Sequence, residues 1–486
     1  MTKYLDRPPV PNIDMTRAGN GLVIIGAGPA GLATAIGFGG ACTVVERRRE
    51  VGGLSASIEI DGAVFDVGGH SFWTPHPEVR RLVYESVAMV EQRRHACCWH
   101  RGAWIDYPFQ RHYEKLPDER EREECRQGLA AADSGTGAAH FGEYLVRKFG
   151  AGVAGHFLLP YNRKLWARDL SRLATDWTAE RVAAPSRESE PLLGVVEQRS
   201  PLQEDTRVAY PAAGGFGEIF RALARRVPGV RFGAAAERID LGERKLVLSD
   251  GTVLPWERLV STIALPELLA RIPDVPSRLH ECASGLEYVS LQVVFVVVDG
   301  PVDRDMQRAY VADPAIVAHK ITLNHNSSPA LRPRPRHAII AEVSYSQDKP
   351  LPAGDLGRLV VRDLLELGLV RREQDALRTS PIDIKYGYPV PTHDRIARVR
   401  EIQSWLEARG VTTLGRFGAW EYVNSDKCMH YGLALGRSLA EQMRQRRGVR
   451  TRPWPEACLW VGRWRSTTAT DHNLQSGADN GDDREP

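Results

Sequence analysis

The pattern of apolar and polar residues first indicates a short unit near the start of the chain. Residues 22–25 are uniformly apolar, and such a run suits a buried parallel strand. A helix-compatible stretch then continues to about Phe38, and a β-branched run at 42–45 ends in Glu46. This order predicts a β-α-β unit, because two parallel strands need a helical crossover between them.

Further along the chain, the spacing of the apolar positions changes twice. Residues 78–205 read as mainly helical, with amphipathic stretches at 77–90 and 141–149. Residues 1–19 and 465–486 are polar, and we expect them to be disordered. The remaining predicted elements are strands at 208–211, 290–298 and 337–344, a hairpin at 244–254, helices ending near Arg226 and spanning 357–366, 397–408 and 430–445, and a glycine-punctuated strand–turn segment at 414–420.

Composition and charge narrow the class of protein. The 486 residues are 43 % hydrophobic and 26 % charged, which is ordinary for a globular protein. The net charge of +3 (64 − 61) is too small to indicate binding to nucleic acid or to a membrane surface. The uncharged stretch 22–45 suits a glycine-rich turn better than a lipid-facing helix, so we expect no membrane association.

The seven cysteines are scattered, and none lies in a CxxC pair. We interpret them as free thiols, which predicts a reducing, cytoplasmic location. No group of His, Cys, Asp and Glu has the spacing of a metal-ligand set, so the sequence predicts no metal site.

The β-α-β unit carries a dinucleotide fingerprint at its turn. Gly26 permits the sharp turn after the strand, Gly28 lets the backbone approach a pyrophosphate, and Gly31 lets helix and strand pack closely. The N-terminus of the helix favours an anion. Glu46 lies twenty positions after Gly26 (46 − 26), where its carboxylate can accept hydrogen bonds from ribose hydroxyls. The sequence therefore predicts a bound nucleotide cofactor.

A second glycine-rich turn at 51–55 follows this acid, and with it the chain resembles FAD-binding oxidoreductases. In that class of protein, a late segment such as 415–418 completes a discontinuous FAD domain. The resemblance implies these cofactor-binding residues: Gly26, Gly28, Pro29, Ala30, Gly31, Glu46, Arg47, Gly53, Leu54, Ser55, Gly68, Gly69, His70, Gly415, Arg416, Asn424 and Asp426.

Longer blocks resemble the UDP-galactopyranose mutase family, especially its eukaryotic-type branch, within the FAD-dependent amine oxidase and protoporphyrinogen oxidase superfamily. They occur in the family's order and cover residues 20–445. The cofactor turn is generic in the superfamily, whereas the YPFQ, PYN and ERVAAP segments are far more specific. The blocks lie at 66–70 (DVGGH), 104–110 (WIDYPFQ), 160–167 (PYNRKLWA), 180–185 (ERVAAP), 387–392 (GYPVPT) and 415–422 (GRFGAWEY).

The resemblance implies an α/β fold and a nucleotide-sugar isomerase. The implied activity interconverts the pyranose and furanose forms of a nucleotide-diphosphate sugar in carbohydrate biosynthesis, as in the formation of galactofuranose. It proceeds through an adduct between the sugar and flavin N5 of reduced FAD, with NADPH or NADH as the reductant. The expected domains are a discontinuous Rossmann-like FAD-binding domain at 20–77, 206–261 and 401–464, a mainly helical substrate and nucleotide domain at 78–205, and a sheet-rich substrate domain at 262–400.

The same resemblance implies roles for individual side chains. His70, Arg181, Lys320 and Arg416 are expected to be catalytic. Arg181 and Lys320 would bind the diphosphate, and His70 would lie against the flavin ring. The residues expected to bind the substrate are Arg94, Tyr107, Phe109, Gln110, Asn162, Trp166, Asp205, Tyr310, Tyr388 and Tyr422.

Four positions depart from the family's pattern. Lys320 stands where the family has an Arg, and Ser327 stands where it has a Tyr. Asp205 replaces an Asn, and Ala96 replaces a Ser. These changes leave the flavin chemistry in place, but they indicate a related nucleotide sugar rather than UDP-galactose itself.

Two other functions stay open at this point. The first is an FAD-dependent oxidoreductase of the amine oxidase or protoporphyrinogen oxidase type, which needs no diphosphate site. The second is a flavin-bound scaffold without catalysis, which the residues at Lys320, Ser327 and Asp205 would favour. The identity of the sugar and nucleotide, and the formation of a homo-oligomer, are also left open by the sequence.

Overall fold

The computed structural model describes residues 21–185, 207–300 and 302–446. Asp205 and the two ranges predicted to be disordered, 1–19 and 465–486, lie outside the described residues. Within the described ranges, six cysteines are buried free thiols. No helix in these ranges is both long enough and apolar enough to cross a lipid bilayer.

Strands are numbered here in chain order. They are β1 (Leu22–Ile25), β2 (Thr43–Glu46), β3 (Ser57–Ile60), β4 (Ala63–Asp66), β5 (Met89–Arg93), β6 (Ala96–His100), β7 (Ala103–Asp106), β8 (Arg207–Pro211), β9 (Val230–Phe232), β10 (Ala236–Asp240), β11 (Lys245–Leu248), β12 (Val253–Pro255), β13 (Arg258–Ser261), β14 (Tyr288–Asp299), β15 (Arg308–Val311), β16 (Lys320–Leu323), β17 (Arg336–Tyr345), β18 (Ala376–Pro389) and β19 (Val411–Thr413).

The α-helices are numbered in the same way, and a π-helical segment, Ala154–Leu158, joins the fifth to the sixth. They are α1 (Pro29–Phe38), α2 (Pro77–Ser86), α3 (Phe109–His112), α4 (Glu119–Ala130), α5 (Phe141–Val153), α6 (Leu159–Trp166), α7 (Glu218–Ala224), α8 (Leu265–Leu269), α9 (Ser277–Ser284), α10 (Leu356–Glu366), α11 (Arg395–Glu407), α12 (Gly415–Gly418) and α13 (Ser425–Arg446).

Five parallel strands form the sheet that carries the fingerprint turn. Their order is β19-β13-β1-β2-β9, so β1 lies at the centre. Leu22 and Ile24 of β1 belong to an apolar cluster with α1, α7 and α13. Val23 and Ile25 belong to a second cluster with α8, α9 and α11. Both faces of the sheet are therefore covered, which explains why β1 is an uninterrupted apolar run.

The second large sheet has seven strands. Its order is β18-β14-β17-β16-β15-β6-β7, with antiparallel neighbours except for the parallel pair β15 and β6. Alternate residues of β14 pack into two clusters on opposite faces, one with α4, α5 and α6 and the other with α10. The sheet is thus a rigid support for side chains on its strands, including those of β15.

Three small β-structures complete the described part. These are the antiparallel sheet β10-β11-β12, the hairpin β3-β4 and the pair β5-β8. The predicted hairpin at 244–254 is confirmed as β11 and β12, which pair antiparallel across the turn that contains Gly251.

The α/β class predicted from the sequence is confirmed. The predicted β-α-β unit is confirmed as β1, α1 and β2, and the long strands predicted at 290–298 and 337–344 are confirmed as β14 and β17. The helices expected at 357–366 and 397–408 correspond to α10 and α11. The domain boundaries drawn from the sequence stay a prediction.

Two stretches differ from the sequence prediction. The segment 414–420 forms the short helix α12 rather than a strand–turn, because β19 already ends at Thr413 and Gly415 turns the chain at φ +85°. Within the range expected to be mainly helical, residues 89–106 instead form β5, β6 and β7. The strand β6 is buried on both faces, so it lacks the alternation that marks a half-buried strand.

Candidate functional site

A cavity of about 1120 Å³ lies at the carboxyl ends of β1 and β2. Its wall includes Gly26 and Gly28 after β1, and Glu46 at the end of β2. Arg308 and Tyr310 of β15 also line it, so the seven-stranded sheet contributes to the same wall. Ligands of open parallel sheets bind outside the carboxyl ends of the strands, and the cavity lies in that place.

Glycines shape the turn between β1 and α1. Gly26 has φ +103°, a conformation that favours glycine. A Cβ on Gly31 would lie 1.9 Å from the carbonyl oxygen of Gly26, so only glycine permits this close packing of helix and turn. At Gly28 no described atom beyond its chain neighbours lies within 4 Å of a Cβ position, which leaves the backbone open toward the cavity.

The helix end and Glu46 complete a cradle for a dinucleotide. Helix α1 begins at Pro29 without a side-chain cap, so N–H groups of its first turn are available to an anion. The Glu46 carboxylate accepts from the N–H of Ala27 through Oε2 and from the N–H of Arg48 through Oε1, each at 2.9 Å. Each oxygen keeps a further lone pair for a ribose hydroxyl. These features fit the pyrophosphate and ribose of FAD.

His70 lies on the cavity wall as a neutral acceptor. Its Nδ1 is 3.0 Å from the carbonyl oxygen of Gly68, and its ring stacks on Phe216 with centroids 4.9 Å apart. Because a carbonyl oxygen only accepts, Nδ1 carries the proton and Nε2 is left as an acceptor on the neutral ring.

Cations near the wall shift the pKa of two groups. Burial, together with the charges of Arg308 and Lys320, lowers the pKa of His70 to about 3. Burial would raise the pKa of Tyr310, but the guanidiniums of Arg94 and Arg308 outweigh it, and the net shift is downward. The electrostatic field in this part of the cavity therefore favours anions.

Glu342 of β17 links three strands behind the wall. Its Oε1 accepts from the N–H of Gly69 at 2.9 Å and lies 2.8 Å from Nζ of Lys320. Its Oε2 accepts from the hydroxyl of Tyr388 at 3.3 Å. Glu342 is 2 % exposed, so its charge is balanced by Lys320 rather than by solvent.

Two guanidiniums meet at one aromatic ring. The Cζ atoms of Arg181 and Arg416 lie 4.6 Å and 5.5 Å from the ring centroid of Tyr422. Arg181 donates to Oδ1 of Asn424 at 2.9 Å and to the carbonyl oxygen of Tyr422 at 2.6 Å. Arg416 donates to the carbonyl oxygen of Val423 at 2.9 Å. Neither forms an ion pair with a carboxylate of the described residues, so both remain able to bind an anion.

A more buried arginine lies among aromatic rings elsewhere on the wall. The Cζ of Arg94 is 4.6 Å from the ring centroid of Tyr107, and its Nη2 donates to the hydroxyl of Tyr310 at 2.9 Å. Gln110 is 3 % exposed and donates to the carbonyl oxygen of Ala183 at 2.6 Å. These contacts connect strand β15 with the segment that follows β7.

Most of the residues predicted to form the site meet in this one cavity. Among the described residues, five of the predicted ones do not line it: Gly31, Gly68, Trp166, Lys320 and Tyr388. Those that line it are Gly26, Gly28, Pro29, Ala30, Glu46, Arg47, Gly53, Leu54, Ser55, Gly69, His70, Arg94, Tyr107, Phe109, Gln110, Asn162, Arg181, Tyr310, Gly415, Arg416, Tyr422, Asn424 and Asp426.

The predicted residues that do not reach the wall support it from behind. The rings of Trp166 and Tyr388 pack edge-on against Tyr422, with centroids 5.6 Å and 5.4 Å away. Lys320 is held by Glu342, and its side chain is only 14 % exposed. To touch a ligand in the cavity, Lys320 would have to leave that ion pair.

Three further residues near the site were missed by the sequence prediction. Arg308 precedes Tyr310 by two positions on β15, so the two share a face of the sheet, and this spacing could have identified it. Tyr161 lies on the wall, and its ring packs against Tyr310 at right angles. Glu342 carries no local signal, because only the pairing of β16 with β17 brings it to Lys320.

A family model described as flavin containing amine oxidoreductase matches residues 29–378, well over half of the 486 residues. The chain belongs to this family. It is therefore a flavoenzyme of the amine oxidase superfamily, and membership implies FAD as its cofactor. The glycine turn, the uncapped helix end and Glu46 are the features of the chain that fit this cofactor.

Several solved structures are similar to this chain. A crystal structure of reduced UDP-galactopyranose mutase has a TM-score of 0.79 and 26 % identity, over 87 % of this chain and 94 % of that chain. A putative protoporphyrinogen oxidase from Exiguobacterium sp. 255-15 has a TM-score of 0.66 and 17 % identity, over 87 % and 98 %. Cyclohexylamine oxidase from Brevibacterium oxydans IH-35A has a TM-score of 0.63 and 16 % identity, over 87 % and 99 %. The two oxidases show the fold alone.

Proposed function

We propose that this flavoenzyme is a mutase that interconverts the pyranose and furanose forms of a nucleotide-diphosphate sugar. The observation that carries the proposal is the pair of guanidiniums, Arg181 and Arg416, that lie against Tyr422 without a carboxylate partner among the described residues. A diphosphate matches such a pair in charge and in geometry, whereas oxidation of an amine does not need it. The similarity to UDP-galactopyranose mutase supports the same function.

The arginines at Tyr422 would bind the diphosphate before and after it leaves the sugar. Hydrogen bonds to Asn424 and to the carbonyl oxygen of Tyr422 orient the guanidinium of Arg181 in advance. Its remaining N–H groups can then bind phosphate oxygens without a further loss of side-chain freedom. Charge-assisted bonds to a departing diphosphate grow stronger as negative charge develops on it, which lowers the barrier to its departure.

When bound, reduced FAD supplies an electron-rich nitrogen that acts as the nucleophile toward the anomeric carbon. The protein would hold the sugar against that nitrogen, and His70 would lie beside the flavin as an uncharged side chain. The neutral imidazole of His70 offers Nε2 as an acceptor and adds no positive charge beside the ring. The rings of Tyr161 and Trp177, which also line the cavity, reduce the access of water to the reacting carbon.

The opposite end of the substrate would be bound by the segment after β7. Tyr107 and Phe109 line the cavity there, and an aromatic face can stack on a nucleobase. Gln110 and Asn162 are buried and line the same wall, where an amide supplies both donors and acceptors. We assign these residues to the base and sugar of the nucleotide. We further propose NADPH or NADH as the reductant of the flavin, and the cytoplasm as the location of the enzyme.

The decisive experiment is a turnover assay with the reduced holoenzyme. Enzyme reduced by dithionite is incubated with UDP-, dTDP- and GDP-linked sugars, and the products are resolved by chromatography. A mutase yields an isomer of the same mass without net consumption of reductant, because the reaction is redox-neutral. An oxidoreductase instead consumes its oxidant in proportion to product, and that result, with no ring isomer, would replace the proposal.

The role of Arg181 is tested by replacing it with leucine. We expect kcat/KM to fall about ten- to a hundredfold, because one charged hydrogen-bonding partner contributes about 1.5–3 kcal/mol. Arg163→Leu is the matched control, since Arg163 is exposed on α6 and does not line the cavity. Equal activity of both variants and the parent would remove Arg181 from the site.

A further inference from the structure

The wall of the cavity carries arginines that no carboxylate of the described residues neutralises. Three cations there have a carboxylate partner: Arg271 and Lys385 pair with Glu267, and Lys427 pairs with Glu421. Outside the cofactor turn, four arginines of the wall form no ion pair with a carboxylate of the described residues. They are Arg94, Arg181, Arg308 and Arg416.

Two of these arginines already have a place in the proposed function, and a third, Arg94, lies among tyrosine rings of the wall. Arg181 and Arg416 lie together at Tyr422, and two guanidiniums match the two charges of a diphosphate. Arg94 is 9 % exposed, lies over the ring of Tyr107 and donates to a tyrosine hydroxyl. Arg308 belongs to neither group, and its charge has no counterpart in a neutral hexose bound through a diphosphate.

Arg308 is held at a defined position beside His70. It lies on β15 between its neighbours in the sheet, opposite Thr322 of β16 and Ala96 of β6. Its Nη2 donates to the hydroxyl of Ser71 over 3.4 Å, a long bond that leaves most of its donors available. Its Nε would lie 3.4 Å from a Cβ placed on Gly69, so the guanidinium lies along the loop that carries His70.

A second cation on the same face of this sheet, Lys320, is neutralised by a carboxylate of the chain. Lys320 pairs in register with Tyr310 on one side and with Glu342 on the other, and its ammonium lies 2.8 Å from the Glu342 carboxylate. That carboxylate also accepts from Gly69 and Tyr388. Its charge is therefore balanced by the ammonium of Lys320, and no carboxylate of the described residues forms an equivalent ion pair with Arg308.

We propose that Arg308 is an anion subsite for the sugar, and that the substrate is a nucleotide-linked uronate whose carboxylate binds this guanidinium. The inference rests on the proposed function, because it requires the reacting sugar to lie beside His70, which lines the same cavity as Arg308. An Arg fork matches a carboxylate through two parallel hydrogen bonds. Ser71 adds a hydroxyl beside it. The sugar end would then recognise a charge that UDP-galactose lacks.

The test compares the affinities of the FAD-loaded enzyme for UDP-galacturonate and UDP-galactose by titration calorimetry. The wild type should bind the uronate about ten- to a hundredfold more tightly, the range for a charge-assisted hydrogen bond. Arg308→Leu should bring the ratio of the two affinities close to one. Arg308→Lys, which keeps the charge but not the fork, should retain part of the ratio.

The matched control is Arg304→Leu, which removes the same charge close by in the chain. Arg304 is exposed, lies 5.7 Å from the ring of Trp104 and does not line the cavity, so this variant should keep the wild-type ratio. The flavin absorbance of each variant confirms that it folds and binds FAD. If Arg308→Leu fails to fold, Arg308→Lys carries the comparison.

The outcomes separate this inference from the proposed function. A wild-type ratio of affinities near one overturns the uronate subsite. An equal loss of both affinities in Arg308→Leu also overturns it, and assigns Arg308 to the diphosphate that both ligands share. Chromatography of the reduced enzyme with both compounds then reports on the mutase reaction independently. Tight binding of the uronate without a ring isomer keeps the subsite and rejects the mutase, whereas equal affinities together with ring isomers of both sugars keep the mutase and reject the subsite.

Discussion

At the scale of single residues, the ion pair between Lys320 and Glu342 supports the back of the site. Both side chains are largely withdrawn from water, 14 % and 2 % exposed. Two buried charges are tolerated only when each is paired and hydrogen-bonded. Glu342 meets that condition through Gly69 and Tyr388, so it also fixes the loop that leads to His70.

Removing one partner of this pair should cost stability. We expect Glu342→Leu to lower the free energy of unfolding by about 3–5 kcal/mol, because Lys320 would be left with a partly buried, uncompensated charge. Urea unfolding at a fixed FAD concentration measures the change. The double variant Glu342→Leu with Lys320→Met should recover much of the loss, since an apolar pair needs no compensation. A double variant no more stable than the single one would contradict this account.

The sequence predicts the residues whose contacts are local in the chain. Gly26, Gly31 and Glu46 act within one β-α-β unit, so their spacing alone indicates what they do. Arg308 and Glu342 lie far from that unit in sequence, and the register of β15, β16 and β17 brings them to the site. No spacing rule encodes that register, which is set by the packing of whole strands.

At the scale of elements, the crossing of α4 and α5 depends on glycine. Gly150 lies within α5 at φ +73°, and a Cβ there would be 2.0 Å from the carbonyl carbon of Gly128 in α4. The backbones of the two helices are therefore in direct contact, and even a methyl group has no space. This contact positions the π-helical segment and α6, which carries Asn162.

Gly150→Ala should consequently destabilise the protein. We expect a loss of about 1–2 kcal/mol from the left-handed backbone and a further 1–3 kcal/mol from the steric overlap. Gly155→Ala is the matched control, because Gly155 has no positive φ and no atom within 4 Å of a Cβ position. Thermal unfolding of the FAD-loaded proteins compares the two variants. Equal melting temperatures would show that α4 can move away from α5 without cost.

Helices and strands could be predicted where one face of the element is buried, or where a long run of its residues is buried on both faces. The strands β14 and β17 are long, apolar and β-branched, and they were found. Strand β18, Ala376–Pro389, was not, because it forms an edge of the seven-stranded sheet and exposes charged residues such as Lys385. It also contains Pro381, which sheets accept at edges but which reads as a break in a sequence.

At the scale of the whole molecule, several buried groups oppose one another as the pH falls. Burial lowers the pKa of His325 to about 4, and burial also lowers the pKa of His319 well below its usual value. Asp66 has the opposite effect, since burial raises its pKa to about 6. As the pH falls, the folded protein therefore binds protons at these histidines less readily than the unfolded chain does, and at Asp66 more readily. The pH dependence of the free energy of unfolding is the sum of these opposing contributions.

The contribution of His325 can be isolated with a single variant. Between pH 6.5 and pH 4 the unfolded chain binds a proton that the folded chain excludes, so stability from this residue is present above pH 6.5 and is lost as the pH falls through that window. From pH 8 to pH 5 the loss should be on the order of 2 kcal/mol. His325→Gln removes the titration, so its free energy of unfolding should decline less over this range than that of the parent, whatever their difference at pH 8. Parallel curves for the two proteins would mean that the folded state admits the proton, for example through an opening of the segment around His325 at low pH.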